Sequence, residues 1–477
     1  MIGSCSYVSI EQFCANSAYL SYPWHKGEEG GIVVIGHSSI QTGQEAGGLR
    51  SETQGVKRGS DSQWLMLFCL TRIFFSFTFV TYSAALPLLR IDWSMSATEA
   101  GMVQSSWHFG YLVSLFSVGF LGDRFGAKRT FLWSAVAASV SSLIFALFAS
   151  DFLSGALLYG IAGVCSGGSY TPGLTLIAER FPPLRRGRAM GYYLAAGSLS
   201  YAICIVISSQ LFPVGGWRLA FLVTCSMPTV GLVLSLWALK STPNIIHPGG
   251  GSLEIWRAIP AVLKNKPAFI LMLAYTGHCW ELLGMWAWLP AYLAAGALAA
   301  ATQSISDNSA VGIGVLLSGL TYLTSMIGSL VGGGLSDRWG RTATMLVFSS
   351  LSLVFSLSYG WMIGWSLTLL FLAAACYNLS AIADSSIYST ALTELVEPRL
   401  IGAAYAVRSV LGFSAGAVSP WVFGLVLDLA HGASWSSDRL AWGLAWTSLG
   451  LGGLPVPLMN WWLRRMPEAA RMARGLR

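Results

Sequence analysis

Gly119-Phe-Leu-Gly-Asp-Arg-Phe-Gly-Ala-Lys-Arg129 lies between two long apolar runs, and Gly333-Gly-Leu-Ser-Asp-Arg-Trp-Gly-Arg341 lies between two others. Their aspartates, Asp123 and Asp337, are about 214 positions apart, close to half of the apolar part of the chain. A charged turn repeated at the half-period of a strongly apolar chain implies two similar helical bundles in one polypeptide.

Composition points the same way. The 477 residues are 54% hydrophobic and only 10% charged, and the mean hydropathy is +0.60. Soluble domains carry about 25% charged residues, so the bilayer must act as solvent for this chain. A membrane helix needs about 20 mostly apolar residues. About twelve such runs can be counted, near 64–89, 98–121, 130–149, 152–178, 188–212, 218–239, 267–295, 309–335, 343–362, 365–393, 401–428 and 440–463. The second, eighth and eleventh are rich in Gly, Ala and Ser, which permits close helix contact in lipid.

The formal charge of +7 is not a nucleic-acid signal, because Lys and Arg gather in loops on one side. Those loops hold Arg124, Lys128 and Arg129; Arg180, Arg185, Arg186 and Arg188; Lys240, Arg257, Lys264 and Lys266; Arg338 and Arg341; Arg399; and Arg464, Arg465, Arg471, Arg474 and Arg477. The opposite loops hold Arg90, Arg218 and Arg439. The positive-inside rule therefore puts both termini and the central loop in the cytoplasm. The eight cysteines lack C-x-x-C or metal spacing and read as reduced packing thiols.

Residues 1–62 are rich in Gly, Ser, Gln and Glu and read as a disordered cytoplasmic tail, or as an over-extended start of the reading frame. The expected organisation is then a six-helix bundle over 63–240, a cytoplasmic central loop over 241–266, a second six-helix bundle over 267–464 and a cytoplasmic tail over 465–477. Two further matches support the duplication. Glu179-x3-Pro183-x3-Gly187-x-Ala189 has the same spacing as Glu394-x3-Pro398-x3-Gly402-x-Ala404, at an offset of about 215. Leu86-Pro87 parallels Leu289-Pro290 at about 203, the difference fitting a longer loop from Ala294 to Gly312.

These residues resemble the major facilitator superfamily, whose loop signature reads G-x-x-x-D-R-x-G-[RK]-[RK]. Gly119, Asp123, Arg124, Gly126 and Lys128 match it, with Ala127 departing at the first basic position. Gly333, Asp337, Arg338, Gly340 and Arg341 match it again, with Thr342 in place of the last basic residue. The resemblance covers about 64–465. It implies an all-α membrane protein of twelve transmembrane helices in two pseudo-symmetric six-helix bundles, and secondary transport by alternating access. It also implies that Asp123 faces the N-terminus of the eleventh helix, starting near Leu400, and that Asp337 faces the fifth. A carboxylate is stabilised at a helix N-terminus, and Gly126 and Gly340 allow the tight turns. Arg124 can pair with Glu179 and Arg338 with Glu394, contacts that would form while the cytoplasmic side is closed. The rival reading is a solvated turn held by topology alone.

Charged groups inside membrane runs are costly and usually face a cavity or a partner. Arg72, His108, His278, Glu281, Asp384 and Arg408 are the candidates. His278, Glu281, Met285, Trp288 and Tyr292 form one helical stripe, suited to a cavity wall; alternatively His278 and Glu281 pair with each other. Arg72 and Arg408, one in each half, suit an oxyanion clamp; alternatively they snorkel to the interface, or Arg408 neutralises Asp123 or Asp384. Tyr377, Asp384 and Tyr388 share a face of the tenth run. Ser166-Gly-Gly-Ser-Tyr-Thr-Pro-Gly173 predicts a bent fourth helix. Tyr111, Tyr170 and Trp107 are softer candidates. The fourth run lacks the R-x-x-Q-G pattern of many proton-coupled family members, and the fifth lacks the G-P-x-x-G-G pattern of drug antiporters.

The expected function is secondary transport of a small organic or inorganic anion, with protons as a candidate coupling ion. Drug or metabolite efflux is the runner-up. A non-transporting receptor would need a signalling domain that the polar tail does not offer. An enzyme would need a clustered catalytic motif, and His108, His278 and Asp384 lie on separate runs. No cofactor, metal or nucleic-acid partner is expected. The chain is expected to work as a monomer in the plasma or inner membrane.

Overall fold

The computed structural model describes residues 58–246, 252–301, 306–397, 400–434 and 437–476. The expected tail up to residue 57, and Pro398 and Arg399 of the repeated motifs, lie outside the described residues. Every regular element among those described is helical.

Each of the twelve apolar runs lies in a helix. The first half comprises α1 (Arg58–Phe75 continuing as Phe77–Asp92), α2 (Ala97–Phe125), α3 (Ala127–Phe148) and α4 (Phe152–Ser166 and Thr171–Arg180). It ends with α5 and α6, the arms of Pro183–Ala238 on either side of the non-helical Gly215 and Gly216. The second half comprises α7 (Lys266–Ala300), α8 (Asp307–Trp339), α9 (Arg341–Ser358), α10 (Leu367–Ala383 and Ser385–Leu395), α11 (Ile401–His431) and α12 (Asp438–Gly453 and Pro455–Arg465). Nine helical segments among the described residues are long and apolar enough to cross a membrane, one of them holding both α5 and α6. The other two helices, α2 and α12, are respectively polar at mid-length (Gln104, Ser105, Ser106, His108) and broken at Leu454.

Two boundaries differ from the sequence reading. Helix α1 starts at Arg58, within the expected tail, where Asp61 pairs with Arg180 at 2.9 Å. The expected central loop contains a helix, Ser252–Lys264.

Local chemistry explains the ends. Ser96 and Glu99 form a capping box at the start of α2, and Asp151 caps α4, satisfying backbone N–H groups that lipid could not. Gly126 and Gly340 have φ of +85° and +93°, so both motif turns do need glycine. The first is clasped by Asn244, which donates to the Phe125 carbonyl at 2.8 Å and accepts from the Arg129 amide at 3.1 Å. The expected bend of α4 is present as a 3-10 turn over Gly167–Ser169.

The halves meet along α2 against α11 and α5 against α8. At one end they touch backbone to backbone. A Cβ on Gly101 would stand 2.2 Å from the Pro420 carbonyl oxygen, and one on Gly424 would stand 2.1 Å from that of Ala97. At the end bearing the repeated motifs, glycines of the same four helices make no such approach: Gly119, Gly122, Gly187, Gly191, Gly334 and Gly402 have nothing within 4 Å of a built Cβ. The halves are therefore closed against each other at the end away from the motifs. Leu147, Leu157, Val233 and Leu429 are exposed on its outside, as lipid-facing side chains should be.

Candidate functional site

Two arginines are built into the two halves in the same way. Arg72 on α1 is 8% exposed, and its Nη1 donates to the Ser169 hydroxyl at 2.8 Å. The Tyr193 hydroxyl donates to the Ser169 carbonyl at 2.5 Å, and the guanidinium lies over the rings of Tyr170 and Tyr193. Arg408 on α11 is also 8% exposed, and its Nη1 donates to the Ser389 hydroxyl at 2.8 Å. The Tyr405 hydroxyl donates to the Ser389 carbonyl at 3.0 Å, and the guanidinium lies over Tyr275 and Tyr405. Each Nε lacks a hydrogen-bond partner, and no carboxylate among the described residues lies within ion-pair distance of either guanidinium.

The duplication places these groups. Tyr275 lies about 203 positions after Arg72, and Arg408 about 215 after Tyr193, the two offsets of the sequence repeats. Each half therefore pairs one arginine with one tyrosine between its first and fifth helices, with the residue types exchanged. Cation–π contact and a single hydroxyl hold a guanidinium without neutralising it, which leaves its charge for something else.

The remaining candidates divide. His108 is buried in the seam, with Nε2 3.4 Å from Gln104 Nε2 and Nδ1 unpartnered. Tyr111 stacks on Trp107 and meets Phe413 of the other half. The α7 stripe does not line the seam: Met285, Trp288 and Tyr292 are fully buried inside the second half. Trp288 donates to the Pro420 carbonyl at 2.9 Å and Tyr292 to that of Tyr359 at 2.7 Å. Glu281 accepts from the Ser352 and Ser356 hydroxyls, both at 2.5 Å, and Ser356 also bonds Tyr377. His278 pairs with Asp384 rather than Glu281, its Nδ1 3.0 Å from Oδ1. That approach lacks hydrogen-bond alignment, and both Asp384 Oδ1 and His278 Nε2 are buried without a hydrogen bond. Asp384 sits at the break in α10. Tyr388 is beside His278, 5.5 Å between ring centroids, and accepts from Asn460 at 3.0 Å.

At the motif end, Asp123, Arg124, Asp337 and Arg338 are exposed, and Arg124 lies over the Phe125 ring. The partner of Glu394 is Arg341, not Arg338: Nη2 reaches Oε1 at 3.1 Å, while Nη1 reaches Asp337 Oδ1 at 2.5 Å and the Ser336 hydroxyl at 2.7 Å. Arg341 is the first residue after the glycine turn and points inward; Ala127 occupies that place in the first copy, which therefore lacks this hub. Glu179, the counterpart of Glu394, is partly buried at the end of α4.

The sequence reading missed Asp428. This α11 carboxylate crosses the seam at the closed end and accepts from the Ala97 amide at 2.9 Å, the Thr98 amide at 2.7 Å and the Thr98 hydroxyl at 2.6 Å. It caps the positive N-terminus of α2 from the other half.

Two pseudo-repeated helical halves around a polar seam define a polytopic membrane transporter. The sequence profile described as Major Facilitator Superfamily matches residues 68–420, and the chain belongs to that family. It is 24% identical over 379 residues to the hexuronate transporter of Bacillus subtilis, covering 76% of this chain and 87% of that one. It is 23% identical over 414 residues to the probable sulfoacetate transporter SauU of Cupriavidus necator, covering 80% and 89%. Among solved structures, the nucleoside transporter NupG superposes with a TM-score of 0.68 at 13% identity, over 84% of this chain and 99% of that one. The fold and relatives are those of integral membrane transporters, which are not enzymes.

Proposed function

We propose that the chain is a proton-coupled transporter of a small anion, working by alternating access. The observation that carries this is the pair Arg72 and Arg408: two buried guanidiniums, one from each half, held by hydroxyls and rings and left without a carboxylate. An uncompensated buried charge is expensive, and an anion bound between the arginines offsets it. Hexuronate and sulfoacetate, named in two relatives, are both anions.

The gating reading uses α2 and α11, which run antiparallel. Asp428, at the C-terminal end of α11, caps α2 at the closed end. The family resemblance gives Asp123, at the C-terminal end of α2, the corresponding place on α11 when the motif end closes. Rocking exchanges one carboxylate cap for the other. The charge bias of the loops puts the motif end in the cytoplasm, so the conformation described faces inward. A cysteine in place of the exposed Arg129 should react with membrane-impermeant thiol reagents from the cytoplasmic side only. Reaction in intact cells would reverse the orientation.

Protons are assigned to the His278–Asp384 pair, with Glu281 one turn along α7. A monovalent anion crossing alone works with or against about 2.3 kcal/mol per 100 mV, and a co-bound proton cancels that charge. Asp384→Asn should retain substrate exchange in proteoliposomes and lose accumulation driven by a pH gradient. Wild-type pH-driven accumulation in that variant would remove the proton role. Both halves of the path lie in one chain, so a monomer suffices.

A further inference from the structure

Beyond α12 the chain turns at Met466 and forms a 3-10 segment, Pro467–Gly475. It lies against α9, the Ser385–Leu395 part of α10, and α12 itself. Ala469 and Met472 are fully buried. They share one apolar cluster with Leu392, Leu395 and Val396 at the end of α10 and with Val262 of the central helix. Removing these side chains from water seats the segment. At its far end the Ala473 amide donates to Glu394 Oε2 at 3.1 Å. Ala473 has a φ of +46°, a region that L-residues other than glycine enter at a cost. Backbone outliers of this kind cluster at switch regions and persist only where the surroundings hold them.

The bond to Glu394 is the first link of a chain. Glu394 accepts from Arg341 Nη2 at 3.1 Å and from its Nε at 3.4 Å, and Arg341 Nη1 in turn holds Asp337. In the first half, too, the chain leaving the sixth helix is tied to the motif turn. There the Thr242 carbonyl accepts from Lys128 at 2.7 Å, and Asn244 bonds the backbone on both sides of Gly126. Those bonds engage no carboxylate, whereas the second-half chain runs through two.

The carboxylates give the second tie a direction. Helix α8 ends, and α5 begins, at the motif end of the molecule, and these two helices pack across the seam. The start of α5 carries the positive end of a helix dipole together with Arg185, Arg186 and Arg188. Asp337, half-exposed at the end of α8, gains from meeting those charges when the motif end closes. An Asp337 already neutralised by Arg341 gains less. A segment that keeps Glu394 and Arg341 in register therefore opposes closure.

We propose that Pro467–Gly475 is a conformational strap that brakes closure of the motif end. Seated, it holds the Glu394–Arg341–Asp337 chain together; released, it leaves Asp337 to the start of α5. This rests on the gating reading above and adds the element that sets its balance.

The test is the distance between spin labels at Arg129 and Gly402, in purified full-length protein. Both positions are exposed at the motif end, one on each half. Gly424→Leu is the control for rocking itself: its clash with the Ala97 carbonyl should open the opposite end and shorten this distance. Ala473→Pro removes the donating N–H and cannot adopt a positive φ, and Met472→Ser unseats the buried anchor. Each should raise the fraction of molecules at the short distance by about fivefold. Ala473→Gly keeps the donor and relieves the backbone. In the Gly424→Leu background, where the short distance is populated, it should lower that fraction. A response to Gly424→Leu, with wild-type distances in Ala473→Pro and Met472→Ser, would reduce the segment to packing even if thermal stability fell. That result overturns the strap and leaves the gating reading standing. No response to Gly424→Leu would overturn both. Where the proline and serine variants fail to fold, Ala473→Gly decides: a short-distance fraction equal to or above that of Gly424→Leu alone overturns the proposal.

Discussion

Replacing Gly424 by leucine should trap the protein with its outer end open. The Cβ alone would sit 2.1 Å from the Ala97 carbonyl oxygen, and a backbone atom cannot rotate away as a side chain can. Closure at that end then requires α2 and α11 to separate, breaking the bonds from Ala97 and Thr98 to Asp428. Reversing a 1:99 population to 99:1 takes about 5.5 kcal/mol, within reach of a clash this deep. Asp428→Asn is the milder version. It keeps the shape but removes the charge from the α2 N-terminus, and the partly exposed site should lose about 1–3 kcal/mol of preference for the closed outer end. Spin labels at the exposed positions Ile91 and Ser434 should report a longer distance in both variants, with the larger shift for Gly424→Leu. Distances matching the wild type in both would mean that this seam does not gate.

The arginines should show the largest functional effect. Removing a charge that pairs with a buried ligand charge typically costs about 2–5 kcal/mol, on the order of a hundredfold in affinity. Arg72→Gln and Arg408→Gln should each reduce anion binding by that order. Stability should move the other way or not at all, because the wild-type guanidiniums are buried charges without counter-charges. Lysine should rescue poorly, since an ammonium can neither present a planar fork nor stack on Tyr193 or Tyr275 in the same manner. A structural role for Arg72 would instead appear as lost stability with affinity retained.

The architecture was legible because its determinants are local or periodic. Apolar runs, the glycine turns at Gly126 and Gly340 and the Gly-Gly-Ser-Tyr-Thr-Pro bend of α4 all appear where the chain signals them. The site was half legible. Arg72 and Arg408 stand out as lone charges in apolar runs, and both are buried among hydroxyls and rings of their own half. The face of α7 was misread because almost all of that helix is buried, so a polar stripe does not distinguish a cavity from a bundle interior. Glu281 is accommodated by Ser352 and Ser356, which in sequence look like ordinary small packing residues. Arg338 and Arg341 differ by less than one turn, and only the geometry after Gly340 decides which one points inward. Asp428 was invisible because two of its three donors are backbone amides about 330 positions away, and a backbone amide leaves no mark in a sequence.

Counterflow in proteoliposomes tests the central claim most directly. Vesicles holding the full-length protein and a high internal concentration of one unlabelled acid, either acetate, benzoate or glucuronate, are diluted into the same acid in radiolabelled form. The account predicts transient uptake of label for at least one acid, with the rate falling by about a hundredfold in Arg72→Gln vesicles of equal protein content. Exchange of labelled amines or neutral solutes with none of any acid, or acid exchange unchanged by Arg72→Gln, would contradict it.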